Sequence, residues 1–380
     1  MIKEIASEIS SYLQHHDYSL AVRRMLDMSL DIGDKELISE TIKWSSDFHD
    51  DANNNAEIKP AFFERASSLL RIAITKEPVF SAKQQRLVTA KRISKKYNTG
   101  HFSLKPVDLE INAGNIFGVV GENGNGKTTL LRSLGGQLFL DAGELQYHFL
   151  SNPDRYSVKS HIAFIPQRIP RWYGQLKDNL HFSAAIAGVN GNENDIMVDF
   201  MLERFNLSRF AHLNWNQISS GYRTRFEIAR ILLQKPDLLI LDEPLANLDI
   251  NAQQTILTDL RFMAKSIYHP MGVLLSSQQL HEVEKVADTV LFIKNGECIF
   301  QSNQQNKQPA VVTIELETTS ARDNIIAALN DETAQVQFNG NYFTVTSTIH
   351  TPQEILQKLI QENISVSYFR DITYSTKRFF

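Results

Sequence analysis

The run Gly121-Glu122-Asn123-Gly124-Asn125-Gly126-Lys127-Thr128 sets glycines, a lysine and a threonine at the spacing of a phosphate-holding loop. Glycines let successive backbone N–H groups turn inward and cup a phosphate. Lys127 is placed to bridge the β- and γ-phosphates of a nucleotide, and the Thr128 hydroxyl to ligate Mg²⁺. A second acidic site lies at Asp242-Glu243, after Leu238-Leu239-Ile240-Leu241. Four apolar residues carry the chain through a core and release two carboxylates at the strand's C-terminal end, where ligands gather in open α/β sheets. Asp242 is expected to hold Mg²⁺. Glu243 is expected to orient and deprotonate an attacking water.

These residues need a particular scaffold. Ile116 to Val120 reads as a strand running into the glycine loop, and Thr129 to Leu134 as the helix leaving it, whose N-terminus adds partial positive charge. Further buried-strand candidates are Val273-Leu274-Leu275 and Val290 to Ile293. Short apolar runs alternating with helical patterns predict a parallel sheet covered on both faces. Residues 1–85 read instead as an all-α region of four short helices, with apolar stripes such as Ile2, Ile5, Ile9 and Leu13, or Phe62, Phe63, Ala66, Leu69, Leu70 and Ala73. Breaks are expected at Gly33-Asp34 and across residues 50–55, with Pro60 opening the last helix. The polar stretch 301–306 reads as a linker. Residues 309–380 give the order βαββαβ, with Asn339-Gly340 at a hairpin, which predicts a ferredoxin-like α+β domain.

Composition narrows the function classes. The chain has 380 residues, is 42% hydrophobic and 22% charged, and carries a formal net charge of −4, so no global basic field draws it to nucleic acid. A single cysteine, Cys298, excludes a disulfide framework and fits a reducing compartment. The N-terminal residues lack an apolar signal-peptide core, and no apolar run reaches the ~18 residues of a membrane helix. The expected location is cytoplasmic.

With these motifs in this order, residues 86–303 resemble the nucleotide-binding domain of ABC transporters. The resemblance implies an α/β P-loop NTPase fold: a RecA-like core with an inserted helical subdomain at about 168–235. Together with the flanking segments it gives three domains, 1–85, 86–303 and 309–380. It implies ATP and Mg²⁺ as cofactors, and a head-to-tail dimer, homomeric or heteromeric with a second ABC ATPase subunit, enclosing two ATP molecules. It also implies a separate membrane-spanning transporter subunit as partner, and a peripheral position on the cytoplasmic face of the membrane.

Residue by residue, Tyr97 looks like the aromatic that stacks on adenine, and Gly121 to Thr129 like the phosphate-binding segment. Gln167 resembles the glutamine that reaches Mg²⁺ and the attacking water, and Asp242 and Glu243 match the metal-holding and catalytic acids. Ile218-Ser219-Ser220-Gly221-Tyr222 stands where the family usually has Leu-Ser-Gly-Gly-Gln. Ser219 and Gly221 then contact the γ-phosphate of the opposite subunit, weakened by Ser220 and Tyr222. Leu245 to Asp249 resembles the loop that couples the two sites. Gln278 replaces a histidine that helps hold the attacking water, and glutamine cannot become cationic, so slow or conditional hydrolysis is expected. His281 is expected to be a solvated helix residue. Pro170, Arg171, Trp172 and Tyr173 fit either a partner interface or aromatic packing inside the helical subdomain.

One nucleotide site and a C-terminal extension look more like export-type ATPase subunits than maltose-type importers. The alternative function is a soluble or regulatory ABC ATPase acting on a macromolecular partner without transport.

Overall fold

The computed structural model describes residues 2–53, 59–79, 86–97, 102–151, 154–246, 248–303, 311–331 and 333–373. Four helices come first: α1 (Ile2–Gln14), α2 (Tyr18–Ile32), α3 (Lys35–Asn53) and α4 (Pro60–Ile74). They bury most of the apolar stripes read from the sequence, with Leu13 half-buried and Phe63 exposed, and Trp44 of α3 stacks on Phe62 of α4 at 4.8 Å between ring centroids. Strands β1 (Arg86–Lys96), β2 (Ser103–Asn112) and β4 (Ala142–Tyr147) form an antiparallel sheet of order β2-β1-β4.

The central sheet contains β3 (Ile116–Val120), β5 (Ile162–Ile165), β6 (Leu238–Leu241), β7 (Gly272–Ser277), β8 (Thr289–Lys294) and β9 (Glu297–Asn303) in the order β5-β6-β7-β3-β8-β9. The pairs β5/β6, β6/β7 and β7/β3 are parallel. All residues of β3, β6 and β7 are buried, the signature of a sheet covered on both faces. Helices α5 (Lys127–Leu134), α6 (Arg155–His161), α10 (Ile250–Ala264) and α11 (Leu280–Glu284) accompany this sheet, while α7 (Leu176–Ile186), α8 (Asn192–Arg204) and α9 (Ser220–Leu232) fall within the segment expected to be the helical subdomain. Residues 301–303, read as linker, continue β9, and 304–310 lie outside the described residues, as do residues 54 and 55 of the expected break.

The chain divides into two compact units, Met1–Ala287 with Ile293–Cys298, and Asp288–Phe292 with Ile299–Phe380. The N-terminal helices thus share a unit with the ATPase-like core. Buried polar contacts hold them there. Arg204, at the end of α8, grips Asp27 of α2 through two bonds of 2.6 and 3.0 Å and Asp259 of α10 through one of 2.7 Å. Arg23 of α2 adds a 3.2 Å bond to Asp259. Burial works against the Arg204 charge, but Asp27 and Asp259 outweigh it and hold the guanidinium protonated. Asp31 of α2 accepts from Ser266 Oγ and from the backbone N–H of Ile267 and Tyr268, fixing the turn after α10. Burial pushes the Asp31 carboxyl up to about 6, with the Tyr268 and Ser266 bonds opposing.

The second unit carries β10 (Val312–Thr318), α12 (Arg322–Leu329), β11 (Gln335–Phe338), β12 (Phe343–Ser347), α13 (Pro352–Gln361) and β13 (Val366–Asp371). Its sheet order is β11-β12-β10-β13, and every pairing is antiparallel. This is the ferredoxin-like arrangement expected from βαββαβ, closed by the Asn339-Gly340 turn, where Asn339 N donates to Tyr342 O at 2.9 Å. Ile314, Leu316, Ile325, Leu329, Val345, Ile355 and Leu359 form its own core.

Candidate nucleotide site

β3 delivers the chain into the glycine loop, and α5 begins at Lys127. Gly126 adopts φ 104° as the cap of α5, and a Cβ there would lie 2.5 Å from the Phe102 ring. At Gly121 a Cβ would meet the Ile293 carbonyl oxygen at 2.3 Å. Glycine is therefore required at both positions by close approach, and at Gly126 by backbone conformation as well. The Asn125 side chain accepts from Asn295 N at 2.9 Å, and its carbonyl accepts from Gly296 N at 3.0 Å, so the 295–296 turn pins the loop from outside.

Lys127 is 4% exposed, and its ammonium donates to Gly121 O at 2.7 Å and Glu122 O at 3.2 Å. It also pairs with Glu243 Oε1 at 3.0 Å. The Thr128 hydroxyl donates to Asp242 Oδ2 at 2.7 Å. Two hard oxygen ligands at the mouth of a phosphate loop fit Mg²⁺, which takes few protein ligands and keeps phosphate and water for the rest. Glu243 is the hub of the site. Its Oε2 accepts from Gln167 Nε2 at 2.8 Å and from Gln278 Nε2 at 3.0 Å, while Oε1 faces Lys127. Its backbone has φ 49°, a left-handed conformation that a side chain adopts at a cost on the order of 1–3 kcal/mol and that clusters at functional sites.

Ser276, at the end of β7, holds that conformation. Its hydroxyl donates to Asp242 Oδ1 at 2.8 Å and accepts from Glu243 N at 2.9 Å. Sequence reasoning missed this residue, because a serine at a strand end carries no signature of its own. Phe102, against Gly126, was also missed.

Of the residues singled out in the sequence, Gly121 to Thr128, Gln167, Asp242, Glu243 and Gln278 converge here. Tyr97 is 39% exposed and places its hydroxyl 3.4 Å from Thr129 Oγ1, beside the start of α5. Ser219 and Gly221 do not join the cluster. Ser219 is exposed at the N-cap of α9, where its hydroxyl makes no capping bond, and a Cβ on Gly221 would lie 3.6 Å from Leu248. Tyr222 turns to its own subdomain, with its ring 4.1 Å from Phe210 and its hydroxyl accepting from Arg209 at 3.1 Å. Asn247, within the expected coupling loop, lies outside the described residues. His281 is exposed.

The Pro170–Tyr173 segment divides between its two readings. Trp172 is buried, stacks on Trp215 at 4.9 Å and donates to Glu227 at 3.1 Å, so it is packing. Tyr173 is exposed, as are Phe182 and Ile186 on α7.

Known proteins are similar to this chain in sequence and in fold. Residues 104–246 match the sequence profile of the family described as ABC transporter. An uncharacterized ABC transporter ATP-binding protein, YxlF of Bacillus subtilis (strain 168), is 28% identical over 286 residues, covering 72% of this chain and 92% of that protein. The phosphonates import ATP-binding protein PhnC of Treponema denticola is 26% identical over 253 residues, covering 63% of this chain and 98% of the relative. Among solved structures, cbiO1 from Clostridium perfringens aligns with a TM-score of 0.52 at 24% identity, covering 58% of this chain and 90% of that one. The fold is that of an ABC ATPase. The one transport direction these names state is import, so the export-type likeness draws no support from them.

Proposed function

We propose that this chain, whose residues 104–246 match the ABC transporter family, is the ATP-hydrolysing subunit of a transporter, driving a separate membrane-spanning subunit. The observation that carries the reading is the convergence on Glu243 of Lys127, Gln167 and Gln278, with Thr128 and Asp242 adjoining. ATP phosphates entering the loop take Lys127 from the Gly121 and Glu122 carbonyls and from Glu243. Glu243, still held by the two glutamine amides, is then free to accept a proton from water. That water adds to the γ-phosphorus, and the β–γ bridging oxygen leaves with ADP. Mg²⁺, when held by Thr128 and Asp242 with Gln167 near, supplies neutralisation of phosphate charge. Gln278 donates a hydrogen bond but carries no positive charge, which supports slow or conditional turnover.

Ser219 and Gly221 stand on an exposed helix start, as residues that serve a second subunit's nucleotide must. A homodimer or a heterodimer around two ATP molecules satisfies this. Exposed Tyr173, Phe182 and Ile186 offer an apolar surface for a partner. The cbiO1 protein is part of the transporter complex cbiONQ, and PhnC is named for import. No helix among the described residues is long and apolar enough to cross a membrane. We propose a cytoplasmic, membrane-peripheral subunit, with 86–303 as the nucleotide domain and 1–85 and 309–380 as its extensions. The test is purification of the tagged chain from gently solubilised membranes. A stoichiometric polytopic membrane protein is expected; soluble partners alone would move the function to a macromolecule-directed ATPase.

A further inference from the structure

Away from the nucleotide site, α1, α2 and α10 enclose a groove of about 730 Å³. Its walls carry Arg24, Arg261, Lys265 and Lys285 against a single acid, Glu8. Glu8 is already committed: it pairs with Arg24 at 2.9 Å and accepts from the Tyr12 hydroxyl at 2.7 Å. Arg24 also lies over the Phe262 ring, 4.9 Å from its centroid. Arg261, Lys265 and Lys285 are exposed, and among the described residues none has an ion-pair partner. This concentration of positive charge occurs in a chain whose net charge is −4.

Helix ends alone attract cations, and Arg261 and Lys265 close α10 while Lys285 follows α11. That effect does not shape a groove. Gln254, Thr258, Arg261 and Lys265 follow one another at helical spacing along a single face of α10, so amide, hydroxyl, guanidinium and ammonium all border the same space. Like charges four residues apart repel at the end of a helix, and a counter-anion between them relieves that repulsion. The volume falls in the range of roughly 300–1,000 Å³ typical of small-molecule sites. A guanidinium with two ammonium groups matches a polyanion with tetrahedral phosphate oxygens.

We propose that this groove binds a phosphate-bearing anion, independently of the nucleotide loop. A soluble phosphate ester and a lipid phosphate headgroup share this chemistry, and two probes separate them. The first is inorganic pyrophosphate, titrated calorimetrically into the full chain carrying Lys127→Met, which keeps the nucleotide loop out of the readout. The second is sedimentation of the wild-type chain with phosphatidylglycerol vesicles against phosphatidylcholine vesicles. Each is repeated with Arg261→Ser, Lys265→Ser and Lys285→Ser combined. Loss of three charge-assisted contacts should weaken binding at least about tenfold. Pyrophosphate binding lost in the triple variant supports a soluble ligand, and vesicle binding so lost supports a headgroup. Should the triple variant melt early, the single reversal Lys285→Glu at an exposed position must still weaken binding. Absence of binding to both probes, or binding that these substitutions leave unchanged, overturns the proposal.

Discussion

Replacing Arg204 by Met probes how the N-terminal helices are joined to the nucleotide core. Arg204 is 2% exposed and makes three charge-assisted bonds of 2.6, 2.7 and 3.0 Å to Asp27 and Asp259. Taken alone, three such bonds at about 1.5–3 kcal/mol each set an upper bound of about 9 kcal/mol. Methionine refills most of the volume, so the loss comes mainly from what stays behind: two carboxylates facing one remaining cation, Arg23, at 3.2 Å from Asp259. Breaking a buried pair while leaving its partner charged typically costs about 3–5 kcal/mol. That is a large part of the roughly 5–15 kcal/mol holding a typical domain. Urea unfolding followed by tryptophan fluorescence reads the cost directly, since Trp44 lies in α3. A variant that also neutralises the acids, Arg204→Met with Asp27→Asn and Asp259→Asn, should recover part of the loss. A single-variant loss below about 1 kcal/mol would refute the reasoning, because the ion pairs would then be exchangeable with water. So would a neutralised variant no better than the single one.

The remaining predictions concern the site and one buried acid. Ser276→Ala leaves the Glu243 N–H without its side-chain acceptor and Asp242 Oδ1 without the Ser276 donor, while Thr128 still donates to Oδ2, and should lower the rate of phosphate release about tenfold with little change in KM for ATP; an unchanged rate would remove Ser276 from the site's support. Gln278→His should raise turnover roughly tenfold and introduce a pH dependence near the ordinary histidine range of about 6.5, seen in a rate profile across neutral pH; a flat profile at the original rate would contradict it. Asp31 titrates at about 6 when folded, against 3.8 as its ordinary value. Between those two values the folded chain holds the extra proton, so this group's contribution to stability falls as pH rises through that window and is constant above it, a change of about 3 kcal/mol. Asp31→Asn should erase that slope and be at least as stable as wild type at pH 7; urea midpoints at several pH values, compared as variant minus wild type, check the sign.

The parts of the molecule legible in the sequence are those whose chemistry is local. The Gly121–Thr128 loop is written in consecutive residues, because backbone conformation alone shapes a phosphate cradle. Asp242 and Glu243 were readable because four apolar residues point them to a strand's end. Asn339-Gly340 announced its hairpin for the same reason. What stayed hidden depends on partners far apart in the chain. Trp172 packs inward because Trp215 and Glu227 meet it there. The Asp27–Arg204 pair spans 177 positions, and nothing near either residue foretells the other. The same holds for the basic groove, whose cations come from helices at opposite ends of the unit. Tyr222 stood out as a departure from the family pattern, but only its contacts with Arg209 and Phe210 give it a physical reason.

The proposed mechanism turns on Glu243 accepting the proton of the attacking water. Its most direct test is phosphate release by the chain with its membrane partner, wild type against Glu243→Gln, with ATP binding measured in parallel. Glutamine keeps the shape and the place beside Gln167 and Gln278 but cannot serve as the base. ATP binding should be retained, with release reduced at least about a hundredfold, at the lower end of what a general base contributes. Release by the variant at the wild-type rate would contradict it.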